Sequence, residues 1–178
     1  MVVLTGALVV VGALCLLDLL LTFGVIRRLR EHTALLSERR YDGPPVVGVN
    51  VGETPGAFAV VTADGAPLSG PAGLRMVAFF SSFCSICPER VPTFLDYLRA
   101  NHVGRDAVLA VVVGPADEPV PYLDQLAAAA LVCTEPDGGA LAQAFKVAGF
   151  PAFCLLGSDG DVLATSYDPA MLPEPVAA

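Results

Sequence analysis

The sequence predicts an α/β fold, a three-layer α/β/α sandwich around a mixed central sheet, preceded by one N-terminal transmembrane helix. Three observations carry this expectation. Strand-length apolar runs alternate with stretches of helical periodicity across residues 57–165. Asp64-Gly65 and Asp159-Gly160 mark a hairpin turn near each end of that region. Residues 2–26 carry a single charge, Asp18.

That opening run is long enough to cross a bilayer. Twenty-five residues of helix reach roughly 37 Å, against a hydrocarbon core of about 30 Å. A cleavable signal fits less well, because nothing basic precedes Arg27. Leu14 stands before Cys15 where a lipoprotein signal needs a small residue, so Cys15 reads as an ordinary apolar helix residue. Asp18 has two readings, a carboxylate facing a partner helix or a protonated or snorkelling one in a single span. Either way it costs about 2.5–3.5 kcal/mol near the bilayer centre.

Residues 27–55 read as stalk and linker. Leu29, Leu35 and Leu36 lie among Arg27, Arg28, Arg30, Arg39 and Arg40 as a short amphipathic continuation of the helix. Tyr41-Asp42-Gly43-Pro44-Pro45 breaks it, and residues 46–55 promise little regular structure.

The predicted domain spans residues 56–167. Residues 57–62 and 66–68 form a hairpin across Ala63-Asp64-Gly65. Residues 74–80 and 107–113 are continuous apolar runs, as expected of strands buried on both faces. Between them a helix over 86–101 shows Val91, Phe94, Leu95 and Leu98 on one face. Further helices are expected over 119–129 and 139–147, with a short extended piece at 130–133. Strands 152–156 and 162–165 close the domain across Ser158-Asp159-Gly160, and residues 168–178, rich in proline, are expected to be a flexible tail.

Charge excludes one class of partner. From Tyr41 onward five basic residues face fifteen acidic ones, a formal −10, within a chain of net −8. Such a surface repels nucleic acid and anionic lipid.

The chemistry is predicted at Cys84-Ser85-Ile86-Cys87, directly after the first buried strand and at the opening of a helix. A thiol at a helix N-terminus meets the positive end of the dipole, which stabilises its thiolate and lowers its pKa below about 8.5. Cys84 is therefore the nucleophile. Cys87, one helical turn on, resolves the mixed disulfide. A zinc site needs four ligands, and no second CxxC or CxxH exists; His32 and His102 lie outside any ligand spacing. The sequence calls for no metal and no cofactor.

Phe83-Cys84-Ser85-Ile86-Cys87-Pro88-Glu89-Arg90-Val91-Pro92, with a helix proline five residues after the second cysteine, resembles the membrane-tethered extracytoplasmic branch of the thioredoxin superfamily, the TlpA, ResA and MauD-type proteins. Val147-Ala148-Gly149-Phe150-Pro151 looks like that family's cis-proline loop. The resemblance covers about residues 55–165 and implies a thioredoxin-like sandwich with thiol-disulfide oxidoreductase activity. It further implies that Pro151 is cis and that Phe150, Pro151 and Phe83 line the substrate groove. Expected partners are protein thiols and disulfides, with a membrane or extracytoplasmic electron donor or acceptor. Two departures stand out. Phe83 occupies a position where many relatives have Trp, and the strand before Cys84 lacks the buried carboxylate that thioredoxins often place behind the CxxC.

The resemblance puts the domain outside the membrane, where disulfides persist. The arginines after the span argue the reverse by the positive-inside rule. Cys133 and Cys154 read as buried inert thiols, with two strands between theirs in the inferred sheet order and too far apart to pair. Two other functions compete. A thiol peroxidase needs Pro and Thr where Val77 and Ser81 stand. A membrane-tethered binding module or metallochaperone of copper-handling type needs a histidine after His102, and none follows.

Overall fold

The computed structural model describes residues 47–115 and 119–175, together with Gly12 and Leu16. Residues 1–44 and 45–178 form separate units, and the elements named below all belong to the second. The expected membrane helix and the arginine-bearing stalk lie outside the described residues, apart from Gly12 and Leu16. Among the described residues no helix is long and apolar enough to cross a membrane.

The sheet grows from its two most apolar segments. In β3 (Met76–Ser81) and β4 (Val108–Val113) every residue is buried, so both faces must be covered. They pair in parallel, Met76 opposite Val108 through Ser81 opposite Val113. β5 (Leu131–Glu135) adds in parallel outside β4. β6 (Ala152–Leu156) pairs antiparallel on the other side of β3, and β7 (Val162–Ser166) pairs antiparallel with β6. The order is β5-β4-β3-β6-β7. A separate two-stranded ladder, β1 (Ala59–Val61) and β2 (Pro67–Ser69), is the expected first hairpin, and its turn residue Gly65 takes φ +84°.

Strand alternation sorts the core into two layers. Met76, Ala78, Phe80 and Phe153 face one side, against α1 (Cys87–Ala100) and α2 (Leu123–Ala129). Val77, Phe79, Val111, Cys133 and Cys154 face the other, against α3 (Ala140–Ala144) and the segment around Val47 and Val49. This is the three-layer mixed sandwich that the pattern predicts.

Several expected boundaries need correction. Residues 46–55 read as a linker in the sequence. From Val47 onward they have no strand or helix, yet Val47 and Val49 are buried in the core, and the Val49 amide donates to the Phe145 carbonyl at 2.8 Å. The tail reads as flexible. Residues 168–175 instead dock on α1: Asp168 pairs with Arg90 at 2.8 Å, the Tyr97 hydroxyl donates to the Pro173 carbonyl at 2.6 Å, and Leu172 is buried in the α1-side core.

Two helices close without the glycine that would announce their ends. Beyond α1 and α3, His102 and Lys146 each take φ 51°. Val103 N–H reaches back to Leu98 O and Val147 N–H to Ala142 O, the six-to-one bond that closes a helix through a left-handed residue. α2 begins at Leu123, four residues inside the expected start at 119.

Candidate active site

The topology converges on one edge. β3, β4 and β5 run parallel, so their C-terminal ends share that edge. β6 is antiparallel and therefore begins there, with Ala152 opposite Phe79. The chain leaves β3 toward β4 on one side and returns to β6 on the other, which makes the end of β3 the switch point of the sheet, where α/β folds place their sites.

Cys84 follows β3 by three residues and Cys87 opens α1. They form a disulfide with Cα atoms 5.4 Å apart. Local bonds shape the loop that holds it. The Ser81 carbonyl accepts from the Cys84 amide at 3.1 Å and from the Tyr122 hydroxyl at 3.2 Å. The Ser81 hydroxyl accepts from the Phe83 amide at 3.2 Å, and Ser82 N–H continues the ladder to the Val113 carbonyl at 3.0 Å. Burial pushes the Tyr122 phenol up from its ordinary value, so it remains a donor. Ile86 caps α1 without a side-chain bond, and Pro88 in the first turn has no N–H to leave orphaned.

The two sulfurs differ in access. Cys84 is partly exposed and lines a cleft of about 450 Å³ with Ser81, Phe83, Ile86, Val113, Asp137 and Phe150. Cys87 has no exposure and sits among Met76, Ala78, Phe80, Val91 and Phe94. None of these neighbours puts a carboxylate into that apolar shell.

The loop opposite is built from β5 and α3. Glu135, at the end of β5, is buried and accepts from the Leu141 and Ala142 amides at 2.9 and 2.8 Å, satisfying the first turn of α3. A side chain at Gly139 would collide with that carboxylate, so the close approach requires glycine there. From α3 the chain passes through Lys146 to Phe150 and a cis Phe150–Pro151 bond. Pro151 is buried, and Phe150 packs against both core layers while also lining the cleft. Phe83 is 71% exposed on the rim.

Phe83, Cys84 and Phe150 thus line one cleft, with Cys87 bonded to Cys84 and Pro151 next in the chain after Phe150. Sequence reasoning missed Ser81, Tyr122, Glu135 and Asp137. Ser81 and Glu135 act on backbone amides a few residues on, whereas Tyr122 and Asp137 reach the site only through contacts between distant segments, and no sequence motif marks any of the four.

Cys133 and Cys154 are free, buried thiols on β5 and β6. Three inter-strand steps of about 4.8 Å separate their strands, beyond disulfide reach. Burial pushes the Cys154 thiol from 9.0 up to about 12, and burial and then Glu135 push Cys133 up. The neutral thiol is thus favoured by folding. Cys154's contribution to stability is complete below pH 9 and is lost as pH climbs from about 9 toward 12. At pH 8, alkylation of the reduced protein is expected to modify Cys84 first, and Cys133 and Cys154 only in denaturant. Peptide mapping by mass spectrometry checks this; labelling of Cys154 in the native state at the rate of Cys84 contradicts it.

No family model matches the chain. No curated protein matches it either. Solved structures do. A thiol-disulfide isomerase from Thermus thermophilus superposes with TM-score 0.52 at 20% identity, covering 66% of this chain and 86% of that one. The thioredoxin domain of a thiol-disulfide oxidoreductase from Bacteroides vulgatus gives TM-score 0.53 at 18% identity, over 66% and 88%. A thiol:disulfide interchange protein from Bacteroides sp. gives TM-score 0.54 at 17% identity, over 68% and 86%. The fold is thioredoxin-like.

Proposed function

We propose that this thioredoxin-fold chain is a membrane-anchored thiol-disulfide oxidoreductase that exchanges disulfides with protein substrates. The observation that carries the reading is the asymmetry of the Cys84–Cys87 disulfide at the switch point: one sulfur borders an open cleft and the other is enclosed. In the reducing direction the Cys84 thiolate attacks a substrate disulfide, forming a mixed disulfide and releasing one substrate thiolate, which takes a proton from water. Cys87 gives up its proton to water, and its thiolate then attacks Cys84 Sγ, releasing the second substrate thiolate, which takes a proton from water, and restoring the internal disulfide. Two electrons pass to the substrate. In the oxidising direction the same steps run backward.

Phe83, Ile86 and Phe150 give the rim an apolar surface for a protein segment. The anchor rests on the sequence and the orientation on the family resemblance, against the arginines that follow the span. Residues 2–26 form the span, and the domain is assigned to the extracytoplasmic side, where disulfides persist. Its electron partner is then a membrane or extracytoplasmic donor or acceptor.

The test is the potential of the Cys84–Cys87 couple in the full chain, held in detergent and equilibrated against glutathione and dithiothreitol buffers. A reversible two-electron couple is expected. A value near −270 mV marks a reductant and one near −120 mV an oxidant. Absence of any reversible couple sinks the enzyme reading in favour of a tethered binding module.

A further inference from the structure

The cleft beside Cys84 has a charge as well as a shape. Asp137, in the turn between β5 and α3, is exposed and lines it; among the described residues it is the one charged side chain that does. A second cleft of about 490 Å³ continues beyond Phe150 and shares both Asp137 and Phe150 with the first. Asp137 therefore stands where an extended chain would pass from one to the other. Glu135 is different, since its carboxylate is buried and committed to α3.

Among the described residues no basic side chain forms an ion pair with Asp137. Lys146 lines the second cleft but faces Glu53 at 3.6 Å. Arg90 is held by Asp168 at 2.8 Å, Arg99 by Asp96, and Arg105 by Asp64 at 3.1 Å. Arg75 precedes β3, at the edge of the sheet away from the cleft. Carboxylates are in surplus over the whole domain, so the wider field has the same sign as Asp137.

We propose, on the basis of the exchange activity proposed above, that Asp137 sets the charge preference of the cleft. The favoured substrate is an extended segment whose reactive cysteine is flanked by an apolar side chain and by Lys or Arg. The apolar group rests on Phe83, Ile86 and Phe150, and the cation faces Asp137. Anionic segments and anionic small thiols are disfavoured, because each brings a negative charge to a carboxylate.

Two short peptide disulfides that differ only in Lys or Glu beside the cysteine test this with the full chain, in single-turnover reduction. At low salt the Lys peptide is expected to react about fivefold faster, the upper range for one exposed charge pair. In 1 M salt, where screening shortens to about 3 Å, the two rates converge. Asp137→Asn narrows the gap at low salt to what the wider field of the domain leaves, and Asp137→Lys narrows it further or inverts it. Equal wild-type rates at low salt, or a preference undiminished in Asp137→Asn and Asp137→Lys, overturn the proposal. Reaction with neither peptide overturns the exchange activity itself, and the charge preference falls with it.

Discussion

Cys84→Ser is expected to abolish disulfide exchange, lowering turnover by about 10³-fold or more, while Cys87→Ala keeps the first attack and stalls after it. The difference follows from position. Cys84 lines the cleft, with its loop held by the two hydrogen bonds to the Ser81 carbonyl. Cys87 is fully enclosed by apolar side chains and can meet only one sulfur, that of Cys84. A serine hydroxyl is too weak a nucleophile to replace a thiolate, so the first variant loses the reaction. The second variant forms the mixed disulfide and has no internal thiol to release it, so a stable adduct accumulates. Stopped-flow turnover with a disulfide substrate and intact mass under non-reducing conditions read the two cases separately. Wild-type turnover in Cys84→Ser, or an adduct on Cys87 in preference to Cys84, would contradict the assignment.

The same enclosure explains how much of this site is legible in the sequence. The run Met76–Ser81 is apolar at every position but the last, and only a central strand covered on both faces accepts that pattern. A CxxC directly after it must fall at the edge of the sheet. The antiparallel pairing of β7 with β6 is legible from the Asp159-Gly160 turn, whereas the sheet order that keeps Cys133 and Cys154 apart comes from the family resemblance. The misreadings share a cause. Residues 168–175 have a proline-rich composition that suggests a loose end, yet Leu172 fills a place in a core made by segments far away in the chain. Val47 and Val49 do the same on the opposite face. Burial of that kind has no local periodicity. Asp137 and Tyr122 are invisible for a related reason: one reaches the site from beyond the end of β5 and the other from the start of α2, and nothing near either residue in sequence points toward Cys84.

Phe80→Ala is expected to lower unfolding free energy by about 3–5 kcal/mol, the range for removing a fully buried phenylalanine. Phe80 has no exposure and lies at the centre of an aromatic group. Its ring meets Phe94 edge-on at 5.6 Å and Phe153 edge-on at 5.7 Å, and tilts against Tyr122 at 5.8 Å. Those rings belong to β3, α1, β6 and the start of α2, so the cavity left behind touches four segments that cannot all close on it. Since a domain of this size is stable by about 5–15 kcal/mol, the loss is a large share of the total. Denaturant unfolding of the wild type and the variant gives the number, with a lower midpoint and an unchanged slope expected. Phe83→Ala is the control. That ring is 71% exposed, so its loss should shift stability by no more than about 0.5 kcal/mol while weakening substrate docking at the rim. A Phe80→Ala loss below about 1 kcal/mol would mean that the core beneath the disulfide repacks freely. The loop that presents Cys84 would then owe its geometry to the Ser81 and Tyr122 hydrogen bonds more than to the packing under it.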